Sequence, residues 1–110
     1  MDDEDLRILL MCCRPRGAWG KSILLELEPT LATSAVVSFD RAHLNRIYAV
    51  LGDLVAQKLC QWQYEPPIVK GSTRKVHYAT TEGKERARQR VAALNELYKA
   101  AIERSSHENR

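Results

Sequence analysis

The sequence predicts a mainly α chain of the α+β class, with three helices, a two-stranded β-hairpin and a long C-terminal helix. Three patterns carry this. Apolar residues recur at helical spacing over residues 38–59, two short segments after it alternate with period two, and a heptad seam runs through the final stretch. At 110 residues, with 45% apolar and 28% charged side chains, the chain suits one folded domain with a single core. Residues 1–104 are expected to form that domain, and 105–110 a frayed tail.

Helix 1 is expected over residues 2–13. Asp2, Asp3, Glu4 and Asp5 fill its first turn, where carboxylates favour the positive end of the helix dipole. Leu6, Leu9, Leu10 and Cys13 form one apolar face, and Ile8, Met11 and Cys12 add a second. A short helix so apolar is central in the core or covered by another chain. Arg14-Pro15-Arg16-Gly17 ends it, because proline disfavours helix at the residue before it. Helix 2 begins near residues 18–20 and ends at Glu28-Pro29, with Trp19, Ile23, Leu24 and Leu27 on one face. Residues 30–38 hold Leu31, Val36 and Val37 among small polar residues. They read as a helical extension or an irregular connection, with 35–37 alternatively a very short strand.

Helix 3, residues 38–59, has Ser38 and Asp40 as candidate N-caps and Leu44, Ile47, Tyr48, Leu51, Leu54, Val55 and Leu59 on its buried face. Arg41, Asn45, Arg46, Ala49 and Gly52 fall off that stripe and face solvent. Cys60-Gln-Trp-Gln-Tyr64 and Lys75-Val-His-Tyr-Ala-Thr80 read as two strands, joined by a loop containing Pro66, Pro67 and Gly71 that is too long for a two-residue turn. Thr80 then caps helix 4, which runs to about Arg104. Ala87, Val91, Leu94, Tyr98 and Ala101 are spaced 4, 3, 4, 3 as a coiled-coil seam, widened by Leu97 and Ile102. A long helix with its own seam calls for a partner, in helix 1 or in a second copy.

Net charge is only +3, but from Lys70 to Arg90 seven basic residues face two acidic ones, which suits a polyanionic partner. Cys12, Cys13 and Cys60 lack ligand spacing. They are expected as small core residues rather than a zinc site with His43, His77 or His107, so no metal or other cofactor is expected. Trp19 and Trp62 are likewise assigned to the core in preference to stacking on a planar effector. No Ser-His-Asp ordering, paired carboxylates in apolar surroundings, phosphate-cradling glycine loop or metal-spaced histidine set is present, and the chain is read as not an enzyme. The longest apolar run, residues 8–13, is too short to span a bilayer, and the acidic N-terminus is unlike a secretory leader; a cytoplasmic protein without membrane contact is expected.

Helix, helix, helix, hairpin, helix is the order of a winged helix-turn-helix. In that register Tyr48-x-x-Leu51-x-x-Leu54-x-x-x-x-Leu59 resembles the recognition-helix signature of PadR-like transcriptional regulators. The run from Gly71 through Arg74, Lys75, His77 and Thr80 to Gly83 is similar to that family's wing and its Thr-x-x-Gly entry into the last helix. Gly17-x-x-Gly20 with Ile23, Leu24 and Leu27 resembles its second helix. The likeness covers about residues 6–97, with Lys58 where the family usually has Gly and Thr73 where it often has Pro.

The resemblance implies a DNA-binding regulator, commonly a repressor, that forms a homodimer through helix 1 and the C-terminal helix. Arg41, Asn45 and Arg46 are the candidates for reading bases in the major groove, since Arg and Asn pair with guanine and adenine edges, with His43 near phosphate or base. Lys70, Arg74, Lys75 and His77 on the wing are candidates for phosphate or minor-groove contact, and Arg14 and Arg16 for reaching the backbone. Leu6, Leu9, Leu10, Val91, Leu94, Leu97, Tyr98 and Ala101 are the candidate dimer contacts. No residue pattern names a small-molecule effector. The competing reading is a winged-helix protein–protein adaptor that does not bind DNA.

Overall fold

The computed structural model describes residues 1–27, 41–66 and 74–108. The expected connection around Leu31, Val36 and Val37, the N-cap candidates Ser38 and Asp40, and the wing loop with Lys70 lie outside the described residues. The order of elements is α1 (Asp3–Cys12), α2 (Gly20–Leu27), α3 (Arg41–Ala56), β1 (Cys60–Glu65), β2 (Arg74–Ala79) and α4 (Thr81–Glu108). This is the expected winged helix-turn-helix.

Asp2 caps α1, its Oδ1 accepting from the Asp5 amide at 2.8 Å. Both apolar faces of α1 enter one core: Leu6, Ile8, Leu9, Met11 and Cys12 are buried against Ile23 and Leu24 of α2 and Ile47, Leu51 and Leu54 of α3. Helix 1 is therefore central. Leu6 and Leu9, expected at a dimer contact, are consumed inside their own chain, and Leu10 is the α1 leucine left exposed.

α3 ends at Ala56, earlier than its periodicity suggests, because Lys58 turns into the left-handed region at φ 63°. The Lys58 amide donates to the Val55 carbonyl at 3.0 Å and the Leu59 amide to Leu54 at 2.9 Å, the bond pair of a Schellman cap. Leu59, buried beside Leu54, completes its apolar contact. The next residue starts β1, which pairs antiparallel with β2 from Cys60↔Ala79 to Glu65↔Arg74.

The root of the hairpin is tied down three ways. The Thr80 amide donates to the Leu59 carbonyl at 3.0 Å, and the Thr80 hydroxyl donates to the Lys58 carbonyl at 2.7 Å. That same hydroxyl accepts from the Gly83 amide at 3.0 Å as the N-cap of α4. Gly83 is confined by approach: a Cβ there would sit 1.9 Å from the Leu59 carbonyl oxygen. A third short strand segment escapes the sequence pattern. Ala18 and His77 exchange backbone hydrogen bonds at 2.9 and 2.7 Å, extending the sheet through the turn before α2. Gly17, at φ 67°, makes that turn where any Cβ would strike the His77 carbonyl.

α4 is a 28-residue helix, continuing to Glu108 rather than stopping near Arg104. Ala87 is buried in the core and Val91 packs on it; from Leu94 onward the helix leaves the body. No described helix is long and apolar enough to cross a membrane.

Candidate nucleic-acid interface

The first turns of α3 expose Arg41, Ala42, Asn45, Arg46 and Ala49. Arg41, Asn45, Tyr48, Gly52 and Val55 fall on one helical stripe, spaced four, three, four and three residues. That stripe runs into a cleft of about 330 Å3 between α3 and the hairpin, walled by Tyr48, Gly52 and Val55 on one side and by Trp62, Lys75 and His77 on the other. The cleft joins the base-reading candidates to the wing on one side of the molecule.

Tyr48 is the hinge of this surface. Its expected place was the core, yet it is half exposed, its ring lying against Gly20 at the start of α2. A Cβ at Gly20 would come within 2.6 Å of that ring, so the second glycine of Gly17-x-x-Gly20 makes room for Tyr48. The buried stripe of α3 runs His43, Ile47, Leu51, Leu54, so it includes His43 and leaves Tyr48 outside.

His43 is thus corrected as a DNA contact. It is 7% exposed, with Nε2 3.4 Å from the Glu4 carboxylate of α1. His77 is corrected likewise. The residue is 3% exposed, on the hairpin face that looks into the cleft toward α3, with its backbone bridged to Ala18. Burial, reinforced by the Lys75 charge, pushes its pKa below the ordinary histidine value, so it is a neutral ring at neutral pH.

Two cations on the wing are held over aromatic rings. The Lys75 ammonium lies 4.0 Å from the Trp62 ring centroid, and the Arg74 guanidinium 4.3 Å from that of Trp19. Trp62, expected in the core, is 41% exposed and meets Tyr64 edge-on at 5.1 Å. Trp62, Tyr64, Lys75 and His77 share one face of the hairpin, since Trp62↔His77 and Tyr64↔Lys75 are cross-strand pairs two residues apart. The alternation of these aromatics with Gln61 and Gln63 marks the face, but its rings meet solvent and cations rather than the core.

The basic stretch from Lys70 to Arg90 is not one patch. Lys84, Arg86, Arg88 and Arg90 belong to α4, where Arg88 pairs with Glu85 and the Arg90 guanidinium donates to the Met1 carbonyl at 3.1 Å. Arg14 forms a two-pronged pair with Glu26 at 2.5 and 2.8 Å, and Arg16 reaches the same carboxylate at 3.8 Å. Those arginines pin the α1–α2 turn to α2, and the arrangement holds the Glu26 carboxyl below its usual range.

Among the candidate dimer contacts, Val91 is half-buried on the core while Leu94, Leu97, Tyr98 and Ala101 are exposed. The seam therefore packs internally at Ala87 and Val91 and is uncovered beyond them.

No family model matches the chain, and no curated protein matches it in sequence. Solved structures do match in fold. A PadR family transcription regulator from Clostridium difficile R20291 superposes with a TM-score of 0.67 at 17% identity, covering 93% of this chain and 97% of its own. A PadR-like transcriptional regulator from Bacillus cereus gives 0.66 at 15% identity, covering 91% and 87%. A padr family transcriptional regulator from Eggerthella lenta gives 0.59 at 18% identity, covering 91% and 78%. The shared property at these identities is the fold.

Proposed function

We propose that this chain is a sequence-specific double-stranded-DNA-binding transcriptional regulator that acts as a homodimer, α3 entering the major groove and the hairpin lying on the adjoining backbone. The observation that carries the reading is the continuous stripe of Arg41, Asn45 and Tyr48 running into the Trp62–Lys75 face. A major groove admits one helix, and Arg and Asn match guanine and adenine edges bidentately. Lys75, already beside a π-face, supplies phosphate contact without sequence preference. The similar structures are of transcriptional regulators, which supports the same reading. Two copies, joined through the open part of α4 and Leu10 of α1, would present two such stripes to successive turns of a duplex.

The test is selection of bound duplexes from a random pool, followed by a salt titration on a selected site. Log affinity is expected to fall linearly with log salt, by about 0.9 per phosphate contact. Failure to retain any duplex at low salt would overturn the proposal. One observation favours the adaptor reading: Trp62 and Tyr64 expose an aromatic pair of the kind that protein partners cover. That reading gains if partner binding, insensitive to salt, depends on Trp62 while duplex binding is absent.

A further inference from the structure

Among the described glycines, Gly52 is the one whose place packing does not explain. A Cβ at Gly17, Gly20 or Gly83 would meet a neighbouring atom within 2.7 Å, whereas one at Gly52 would meet nothing within 4 Å. Gly52 lies inside α3, where glycine destabilises a helix relative to alanine. Its missing side chain leaves room in the cleft of about 330 Å3 between α3 and the hairpin, which it helps to wall.

The hairpin wall of that cleft carries an orphaned polar group. His77 is 3% exposed, and its Nδ1 is buried with no hydrogen-bond partner among the described residues. A buried ring nitrogen left unpaired costs stability until something entering the cleft bonds it. The Lys75 ammonium, 4.0 Å from the Trp62 ring centroid, adds a positive charge to the same wall. Tyr48 and Trp62 bring two half-exposed rings, and Leu51 and Val55 add apolar surface. Aromatic and apolar walls with a few polar groups, around a volume of about 300 Å3 or more, are the make-up of a small-ligand pocket.

We propose that this cleft binds a single nucleotide, its base against Tyr48 and Trp62 with a ring-edge group bonded to His77, and its phosphate on Lys75. The proposal does not rest on duplex reading by α3, and its test contains no duplex.

Each part of the ligand answers a part of the wall. Two aromatic rings favour a flat ring, through stacking contacts that any base supplies. The neutral imidazole of His77 has one N–H and one lone pair, so it calls for a ring with a polar edge. The Lys75 ammonium calls for an anion, and a nucleotide carries its phosphate on the sugar that bears the ring. Gly52 lets the ligand approach the α3 backbone more closely than any side chain there would allow. The same base and phosphate occur in free mononucleotides and in an unpaired strand.

The experiment uses the Trp19→Phe protein, which keeps Trp62 alone of the two tryptophans, and follows its emission. The titrants are the four deoxynucleoside 5′-monophosphates. Saturable quenching by at least one is expected. Deoxyribose 5-phosphate, which lacks the base, and the matching deoxynucleoside, which lacks the phosphate, should bind roughly tenfold or more weakly. Lys75→Ala should lose as much affinity as removing the phosphate does. Gly52→Leu should abolish binding while unfolding in urea no earlier than its parent, since the added side chain starts in open space. Quenching by none of the four, equal binding of deoxyribose 5-phosphate, or undiminished binding to Gly52→Leu would each overturn the proposal. A single-stranded oligomer of the best base separates the two sources. Tighter binding per nucleotide than the monophosphate assigns the cleft to an unpaired strand, and equal or weaker binding assigns it to the free nucleotide. Should Trp19→Phe fail to fold, calorimetry on the unaltered protein reads the same titrations.

Discussion

At the scale of single residues, the surface that matters is set by which side chain each turn of α3 sends inward. His43 occupies the buried stripe with Ile47, Leu51 and Leu54, and Tyr48 is left on the outer one with Arg41 and Asn45. Substituting Arg41 and Asn45 together with alanine should weaken binding to a selected duplex by about 1–3 kcal/mol for each bidentate hydrogen-bond pair to a base edge that the change removes. Binding to unrelated duplexes should fall much less. Comparing the two affinities by anisotropy decides it: equal decreases would show that these residues touch only the DNA backbone. Lys75→Ala should do the opposite, weakening all duplexes alike and lowering the salt slope by about 0.9, the value for one phosphate. The outer stripe was only partly legible in the sequence, because histidine counts as polar in a hydropathy pattern. His43 has a carboxylate within 3.4 Å and His77 faces a cleft whose other wall is α3, and both conditions arise from residues distant in the chain. Exposed arginine and asparagine need no such partner, so their placement followed from periodicity alone.

The elements themselves were readable wherever a period was repeated. The α3 stripe, the two alternating strands and the Thr80 cap each offer several residues in register, and each forms close to its expected span. The Ala18–His77 bridge is a single pair with no period, formed because Gly17 turns the chain edge-on to β2. Helix ends are set by local geometry that hydropathy does not encode, and α3 shows this best. Its apolar stripe extends to Leu59, but the Schellman bonds of Lys58 and Leu59 close the helix before it. A lysine at φ 63° is strained where glycine is not, at a cost of about 1 kcal/mol. Lys58→Gly should therefore stabilise the protein by about that amount in chemical denaturation. Lys58→Val, β-branched at the same φ, should destabilise it. An unchanged or lower stability for Lys58→Gly would show that the lysine side chain makes a compensating contact.

For the molecule as a whole, shape is the argument for a second copy. A compact domain of 110 residues has a radius of gyration near 13 Å, by the scaling of globular chains. Here it is 17.1 Å, with a longest extent of 63 Å. The excess comes from α4, which rises about 1.5 Å per residue over its 28 residues and leaves the core after Val91. Its outer half carries Leu94, Leu97, Tyr98 and Ile102 exposed, with Tyr98 68% exposed to solvent. Large apolar side chains at coiled-coil spacing on a projecting helix are stabilised by burial in an interface, at about 25 cal/mol per Å2 removed from water. Leu94→Asp with Tyr98→Asp places two charges in that seam without touching Ala87 or Val91, which hold α4 to its own core. The variant is expected to keep its helical circular dichroism and sediment at the 12.5 kDa of one chain, while the unaltered protein sediments at twice that mass. Its affinity for a two-half-site duplex should drop to that of a single half-site, because joining two reading helices converts the second binding event into an intramolecular one. A variant still sedimenting as a dimer would move the interface elsewhere, with exposed Leu10 of α1 the next position to alter.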